Sequence, residues 1–212
     1  MKVFVIAMAN EAECVTRHLV DAKEEVVFGR RVTRGTLNGA EAMVVVSGIG
    51  KANAAAAVQM ALQLTGEKEV VNIGVAGGLE PSMKVGDLYE VSDAVQYDFD
   101  LSMVNGTAVG TLDERDSPFI PCAAHGRLPA KRLGSGDRFN DDEADAALLE
   151  RLGAGLRDME VAAMAQVCER AGARVVSYKC VSDVRGNGST PGQYAENLSR
   201  CLKHLSDFAS AL

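Results

Sequence analysis

Two carboxylates in the stretch RDMEVAAMAQVCERAGARVVSYKCVSDV, residues 157–184, are spaced for chemistry. Glu160 opens a small-residue helix read over Val161 to Ala171, and Gly172 can stop it because glycine enters the left-handed C-cap conformation without a Cβ penalty. Asp183 ends the apolar run that starts at Arg174, where Val175, Val176, Tyr178 and Val181 describe a strand buried on both faces. Ligands of open α/β sheets bind at that strand edge, so the pair can act as acid, base or charge stabiliser there. A third carboxylate, Glu11, lies just past the apolar strand Lys2 to Met8. With Asn10 as an N-cap it reads as a helix-initiating acid that favours the dipole. Its place on the same edge as Asp183 equally allows a functional role.

The elements needed to position these groups alternate along the chain. A hairpin of Val26–Phe28 and Arg31–Leu37 around Gly29-Arg30 and a turn at Asn38-Gly39 lead to a strand over Glu41–Ser47. SGIGK then joins that strand to an Ala-rich helix, Ala52 to Leu64. It lacks the dinucleotide and P-loop fingerprints, so tight packing competes with a ligand cradle as its reading. Further strands are read at Glu69–Val75, closed by Ala76-Gly77-Gly78, and at Gly86–Tyr97 and Lys131–Gly136. Helices are read at Asp141–Leu152 and from about Gln193 to Leu212. Residues 106–129, with three prolines, describe an ordered loop of the lid or oligomer-contact kind, and Val184–Gly192 a flexible polar segment able to close over a site. Phe139, at a strand-to-helix turn, is either core or a stacking platform for a flat ligand. The pattern predicts one domain over 1–212, a three-layer αβα fold with a central mixed, mostly parallel twisted sheet.

Composition narrows the function. A net charge of −7 and a pI near 5.0 oppose binding to a nucleic-acid backbone. No apolar run reaches the roughly 20 residues of a membrane helix, and Val3–Met8 is too short for an export signal. Five cysteines without a CxxC pair read as reduced thiols in the cytoplasm, and three scattered histidines show no metal-ligand spacing. No metal or cofactor is expected.

AMANE, SGIGKANAA, NIGVAGG, VGD, SGDRF, DMEVAAMAQVC and VSDV occur in one order along residues 1 to about 195. As an ordered set they resemble the purine nucleoside phosphorylase/uridine phosphorylase family, and within it the 5'-methylthioadenosine/S-adenosylhomocysteine nucleosidases. The resemblance implies a nucleoside phosphorylase-like fold and hydrolysis of a purine N-glycosidic bond, with methylthioadenosine, S-adenosylhomocysteine or 5'-deoxyadenosine as substrates. It implies that Glu11 activates the attacking water, that Asp183 protonates the leaving purine at N7, and that Met159 and Glu160 hold the ribose. It further implies that Phe139 stacks on the base, that Ile49, Ala76 and Gly77 line the sugar pocket, and that Ala7, Met8, Asn140, Ser182 and Tyr194 complete the substrate site. A homodimer is also implied, compatible with the apolar patch Phe99, Leu101, Met103 and Val104.

The chain departs from the family pattern at Val75, where a Ser is usual, at Asn140 in place of an apolar residue, at Lys179 in place of an Arg, and in a shortened loop before Lys131. Phosphorylases of the family carry a glycine loop and phosphate-binding arginines where this chain has AMANEAE, and an acid there opposes an anionic nucleophile. Hydrolysis is therefore expected. Cleavage of another purine nucleoside such as futalosine, phosphorolysis, and a non-catalytic nucleoside-binding role are the competing readings.

Overall fold

A computed structural model describes residues 1–212. The elements are β1 (Lys2–Ile6), α1 (Ala9–Thr16), β2 (Val20–Val27), β3 (Arg30–Leu37), β4 (Ala40–Val46), α2 (Lys51–Thr65), β5 (Glu69–Gly78), β6 (Leu88–Gln96), α3 (Ser102–Asn105), β7 (Ile120–Pro121), β8 (Ala130–Ser135), α4 (Glu143–Arg151), β9 (Leu156–Asp158), α5 (Val161–Arg170), β10 (Arg174–Val184) and α6 (Thr190–Ala209). The period-two pattern of β1 sorts its side chains into two layers, as alternation across a strand requires. Val3 and Val5 enter the core beneath α2 and α5, whereas Phe4 and Ile6 enter the core beneath α1 and α6. The three-layer αβα arrangement follows.

The sheet is mixed. Parallel pairing runs through β4, β1, β5 and β10, with the antiparallel β3–β2 hairpin on one flank. On the other flank the sheet curls round on itself. β10 pairs with β6, β6 with β8, β8 with β9, and β9 returns to β5, so these five strands close into a small barrel. The three-residue β9 that completes the ring is too short to leave a periodic signal in the sequence.

Several sequence expectations shift. β2 is exposed and carries Lys23, Glu24 and Glu25, the charged edge that keeps a free strand from pairing with another chain. The hairpin turns at Phe28-Gly29, with φ of 47° and 76°, because two left-handed residues match the twist of the flanking strands. α1 begins after Met8, not at Asn10. Glu11 starts the helix as expected, from the first turn, where its carboxylate accepts the Met8 N–H, and it is buried there. Residues 106–129 form a strap, not a lid: Leu112 and Ile120 sit in the core, and the buried Glu90 carboxylate accepts the His125 and Gly126 N–H groups at 2.6 and 3.0 Å. The polar segment after Asp183 is also held. Gln193 exchanges two hydrogen bonds with the Val184 backbone, and Ser189 caps α6 from Thr190 onward. Phe99 packs against the core while Met103 and Val104 stand exposed, which splits the apolar patch.

Candidate active site

A cavity of about 360 Å³ opens where β1, β5, β9 and β10 end. Ala7, Met8 and Glu11 reach it from the start of α1, Ile49 from the turn before α2, Ala76 and Gly77 from β5, and Met159 and Glu160 from the start of α5. Ser182 and Asp183 enter from β10, Phe139 from the turn after β8, and Tyr194 from α6, with its ring edge-on to Phe139 at 5.5 Å. One expected residue is absent. Asn140 turns away to donate to Asp145 (3.1 Å), and the acid draws it off the cavity wall. Arg138, Arg157 and Asp158 also line the cavity without having been expected there, and Val75, the departure from the family's Ser, lines it as well. Arg138 lies within SGDRF, Asp158 opens DMEVAAMAQVC and Arg157 immediately precedes it, but nothing in their spacing says which way they face.

Glu11 is held from two sides. Its Oε1 accepts the Val75 N–H (2.8 Å) and its Oε2 the Met8 N–H (3.2 Å). A Cβ on residue 74 would lie 2.8 Å from Oε1, so only glycine lets the strand pass this close. Burial pushes the Glu11 carboxyl above its ordinary range, against the neighbouring Lys179 ammonium and the two backbone donors, which pull it down. The carboxylate is a stronger proton acceptor than a solvated glutamate's.

Beneath it lies a buried cation. Lys179 Nζ meets Asp158 Oδ2 at 3.0 Å, both side chains almost wholly enclosed, and the Asp158, Glu160 and Glu11 carboxylates together hold the ammonium above its usual range despite its burial. Asp158 is spent on Lys179, on Ser135 Oγ and on the Glu160 and Val161 amides. Lys179→Met would leave an uncompensated buried carboxylate, and we expect it to lower the unfolding free energy by about 3–5 kcal/mol, read from urea denaturation.

Glu160 accepts the Gly50 N–H at 3.0 Å and the Met159 N–H at 3.3 Å. Its carboxyl is pushed up to about 7 by burial first and by Asp158 second. The turn before α2 is thereby accounted for. Gly50 (φ 99°) turns its N–H onto Glu160, and the next amide, Lys51, donates to Asp137 Oδ1 at 2.8 Å. A helix N-terminus that draws anions has been taken by two protein carboxylates. Only the ionised Glu160 can accept hydroxyl donors from a ligand with both oxygens, so kcat/KM should fall as pH drops through about 7, and Glu160→Gln should flatten that limb of the pH profile.

Asp183 owes its position to a bulge. β10 stays in register with β5 up to Val181 opposite Ala76, then inserts Ser182 so that Asp183 falls opposite Gly77. An extra residue bends a strand and re-aims its side chains, here sending both Ser182 and Asp183 to the cavity. Ser182 Oγ–H donates to Asp183 Oδ2 at 2.8 Å, and Arg157 Nη2 stands 4.0 Å from Oδ1. Burial raises the Asp183 carboxyl above its ordinary value, outweighing Ser182 and Arg157, which lower it. A Cβ on Gly77 would come within 2.9 Å of Asp183 Oδ1, so this glycine too makes room for an acid.

A barrel-ended α/β sheet with three buried carboxylates turned to one cavity defines an α/β enzyme of the acid–base kind. The chain belongs to the phosphorylase superfamily, whose family model matches residues 2–212. It is 32% identical over 197 residues to the 5'-methylthioadenosine/S-adenosylhomocysteine nucleosidase of Halalkalibacterium halodurans, covering 85% of this chain and 84% of that relative. The crystal structure of such a nucleosidase from Colwellia psychrerythraea 34H, in complex with adenine, is similar with a TM-score of 0.84 and 27% identity over 99% of this chain and 95% of that one. The futalosine hydrolase of Helicobacter pylori strain 26695 shares the fold with a TM-score of 0.89 at 24% identity, over 100% and 97% of the two chains.

Proposed function

We propose that this protein hydrolyses the N-glycosidic bond of purine nucleosides bearing a modified 5' position, with methylthioadenosine, S-adenosylhomocysteine and 5'-deoxyadenosine as the first substrates to try. The observation that carries the reading is the convergence of Glu11, Glu160 and Asp183 on one cavity, each buried and each fixed by backbone or hydroxyl donors. Breaking C1'–N9 builds positive charge on the sugar, as in glycoside hydrolysis. Glu160, near the ribose, stabilises that charge as it develops. Asp183 gives its proton to N7, so the purine leaves neutral, while water bonds to C1' and Glu11 takes the water's proton. Phe139 offers the base a face, and Met8, Ile49 and Met159 an apolar wall for the 5' group.

Phosphate is disfavoured as the nucleophile. The amides at the head of α2 already serve Glu160 and Asp137, and an anion beside Glu11 would meet like charge. Base release from these nucleosides and from inosine and futalosine, followed by chromatography with and without phosphate, tests the reading. Phosphate-independent release is expected. Strict phosphate dependence would make the protein a phosphorylase, and tight binding without turnover would make it a nucleoside-binding module. Futalosine is retained as a substrate to test because a futalosine hydrolase shares the fold.

The exposed Met103 and Val104 of α3 support a homodimer with that face at the contact. Light scattering should give twice the chain mass, and Met103→Lys should reduce it. No helix is long and apolar enough to cross a membrane, and the five free cysteines suit a reducing cytoplasm.

A further inference from the structure

Arg157 lines the cavity beside Asp183, yet nothing in the reaction above uses it. Its side chain is only 14% exposed and makes one hydrogen bond, from Nη2 to Thr190 Oγ1 at 2.8 Å. The nearest carboxylate oxygens, on Asp141 and Asp183, stand 3.9 and 4.0 Å from Nη2. Nε–H and both Nη1 protons have no partner in the protein. Arg115 shows the contrast: it is 16% exposed, and its guanidinium is spent on the Ser117 and Phe119 carbonyls and on Glu169. A planar fork of unspent donors enclosed in a cavity wall calls for an acceptor on the ligand.

The position of the fork says which acceptor. Where Asp183 meets N7, the neighbouring atom on the same edge of the purine is the substituent at C6. A 6-oxopurine presents two acceptors on that edge, N7 and O6, whereas adenine presents the N7 acceptor beside an amino donor. An acid for N7 with an arginine 4.0 Å away matches the first pattern. Against adenine, the guanidinium would meet N–H with N–H. Arg157 Cγ and Nε lie over Gly77, 3.1 Å from where a Cβ would stand, so the side chain runs along the cavity wall towards Asp183.

We infer that Arg157 is a specificity-determining residue that donates to O6 and sets the site for 6-oxopurine nucleosides. This inference rests on the nucleosidase reading and names its substrate class. The test holds the 5' group constant and compares kcat/KM for 5'-deoxy-5'-methylthioinosine and 5'-methylthioadenosine, in the native protein and in Arg157→Leu and Arg157→Lys. A native preference for the 6-oxo substrate is expected, with the 6-oxo to 6-amino ratio falling on the order of 10- to 100-fold in Arg157→Leu, the scale of a lost hydrogen bond from a charged donor. Arg157→Lys, which keeps the charge but not the fork, should recover only part of that ratio. A native preference for the adenine substrate would overturn the inference, as would equal losses on both substrates, which would mean that Arg157 acts only on Asp183. Should neither nucleoside be cleaved, the nucleosidase reading itself fails. Calorimetric titration of the native protein with hypoxanthine and adenine then decides the base preference without turnover: tighter hypoxanthine supports the role of Arg157, and tighter adenine refutes it.

Discussion

Asp183→Asn should cut kcat by roughly 10²–10⁴-fold, the usual share of a placed general acid, while nucleoside binding stays measurable. The substitution is nearly isosteric, and the contacts around it show why it isolates the proton. The amide oxygen can still accept from Ser182 Oγ, which holds Oδ2 at 2.8 Å, and the bulge between Val181 and Asp183 does not depend on charge. The proton for N7 is what disappears. Burial raises the Asp183 carboxyl and so favours its protonated form, and the Ser182 hydroxyl and the Arg157 charge moderate the rise without reversing it. Steady-state rates of base release give kcat, and calorimetric titration gives binding. A variant with near-native rates would remove Asp183 from the role of acid and leave the leaving group unexplained.

The second large effect is expected at Glu11. Glu11→Gln should also lower kcat on the order of 10²–10⁴-fold, with KM changing much less, because the water activated by a base is not part of ground-state binding. One side of the carboxylate's support survives the change: the glutamine carbonyl can accept from Val75 N–H, where Glu11 Oε1 now accepts at 2.8 Å. On the other side the new amide would meet the Met8 N–H donor, which Glu11 Oε2 now accepts at 3.2 Å. Because that clash can displace the side chain, Glu11→Asp is the companion variant. It keeps the charge, shortens the reach by one methylene, and should retain more activity than Glu11→Gln. An equal or larger KM effect in both would turn Glu11 into a binding residue.

The three acids differ in how far they could be read ahead of the fold. Asp183 stands at the end of an apolar run and Glu160 at the head of a helix, so local pattern placed both at one sheet edge. Glu11 carried two readings, and the fold accommodates both: from the first turn of α1 its carboxylate accepts the Met8 amide, and the same buried side chain lines the cavity. What local pattern could not show is that this helix starter is buried, accepting a β5 amide from Val75 as well as the cap amide of Met8, beside Lys179. SGIGK was ambiguous for a similar reason. Which carboxylates its amides meet depends on Glu160 and Asp137 arriving from distant parts of the chain.

Local periodicity was enough to determine the alternation of strands and helices, the burial of β1, β5 and β10, and the glycine turns at their ends. Those features arise from contacts each residue makes with its near neighbours and with a generic apolar core. The closing of β9 onto β5, the inserted Ser182 that re-aims Asp183, the withdrawal of Asn140 to Asp145 and the arrival of Arg157 beside the acid were decided only in three dimensions. Each depends on strand register or on a polar partner far away in the chain, and a one-residue shift in either sends a side chain to the opposite face.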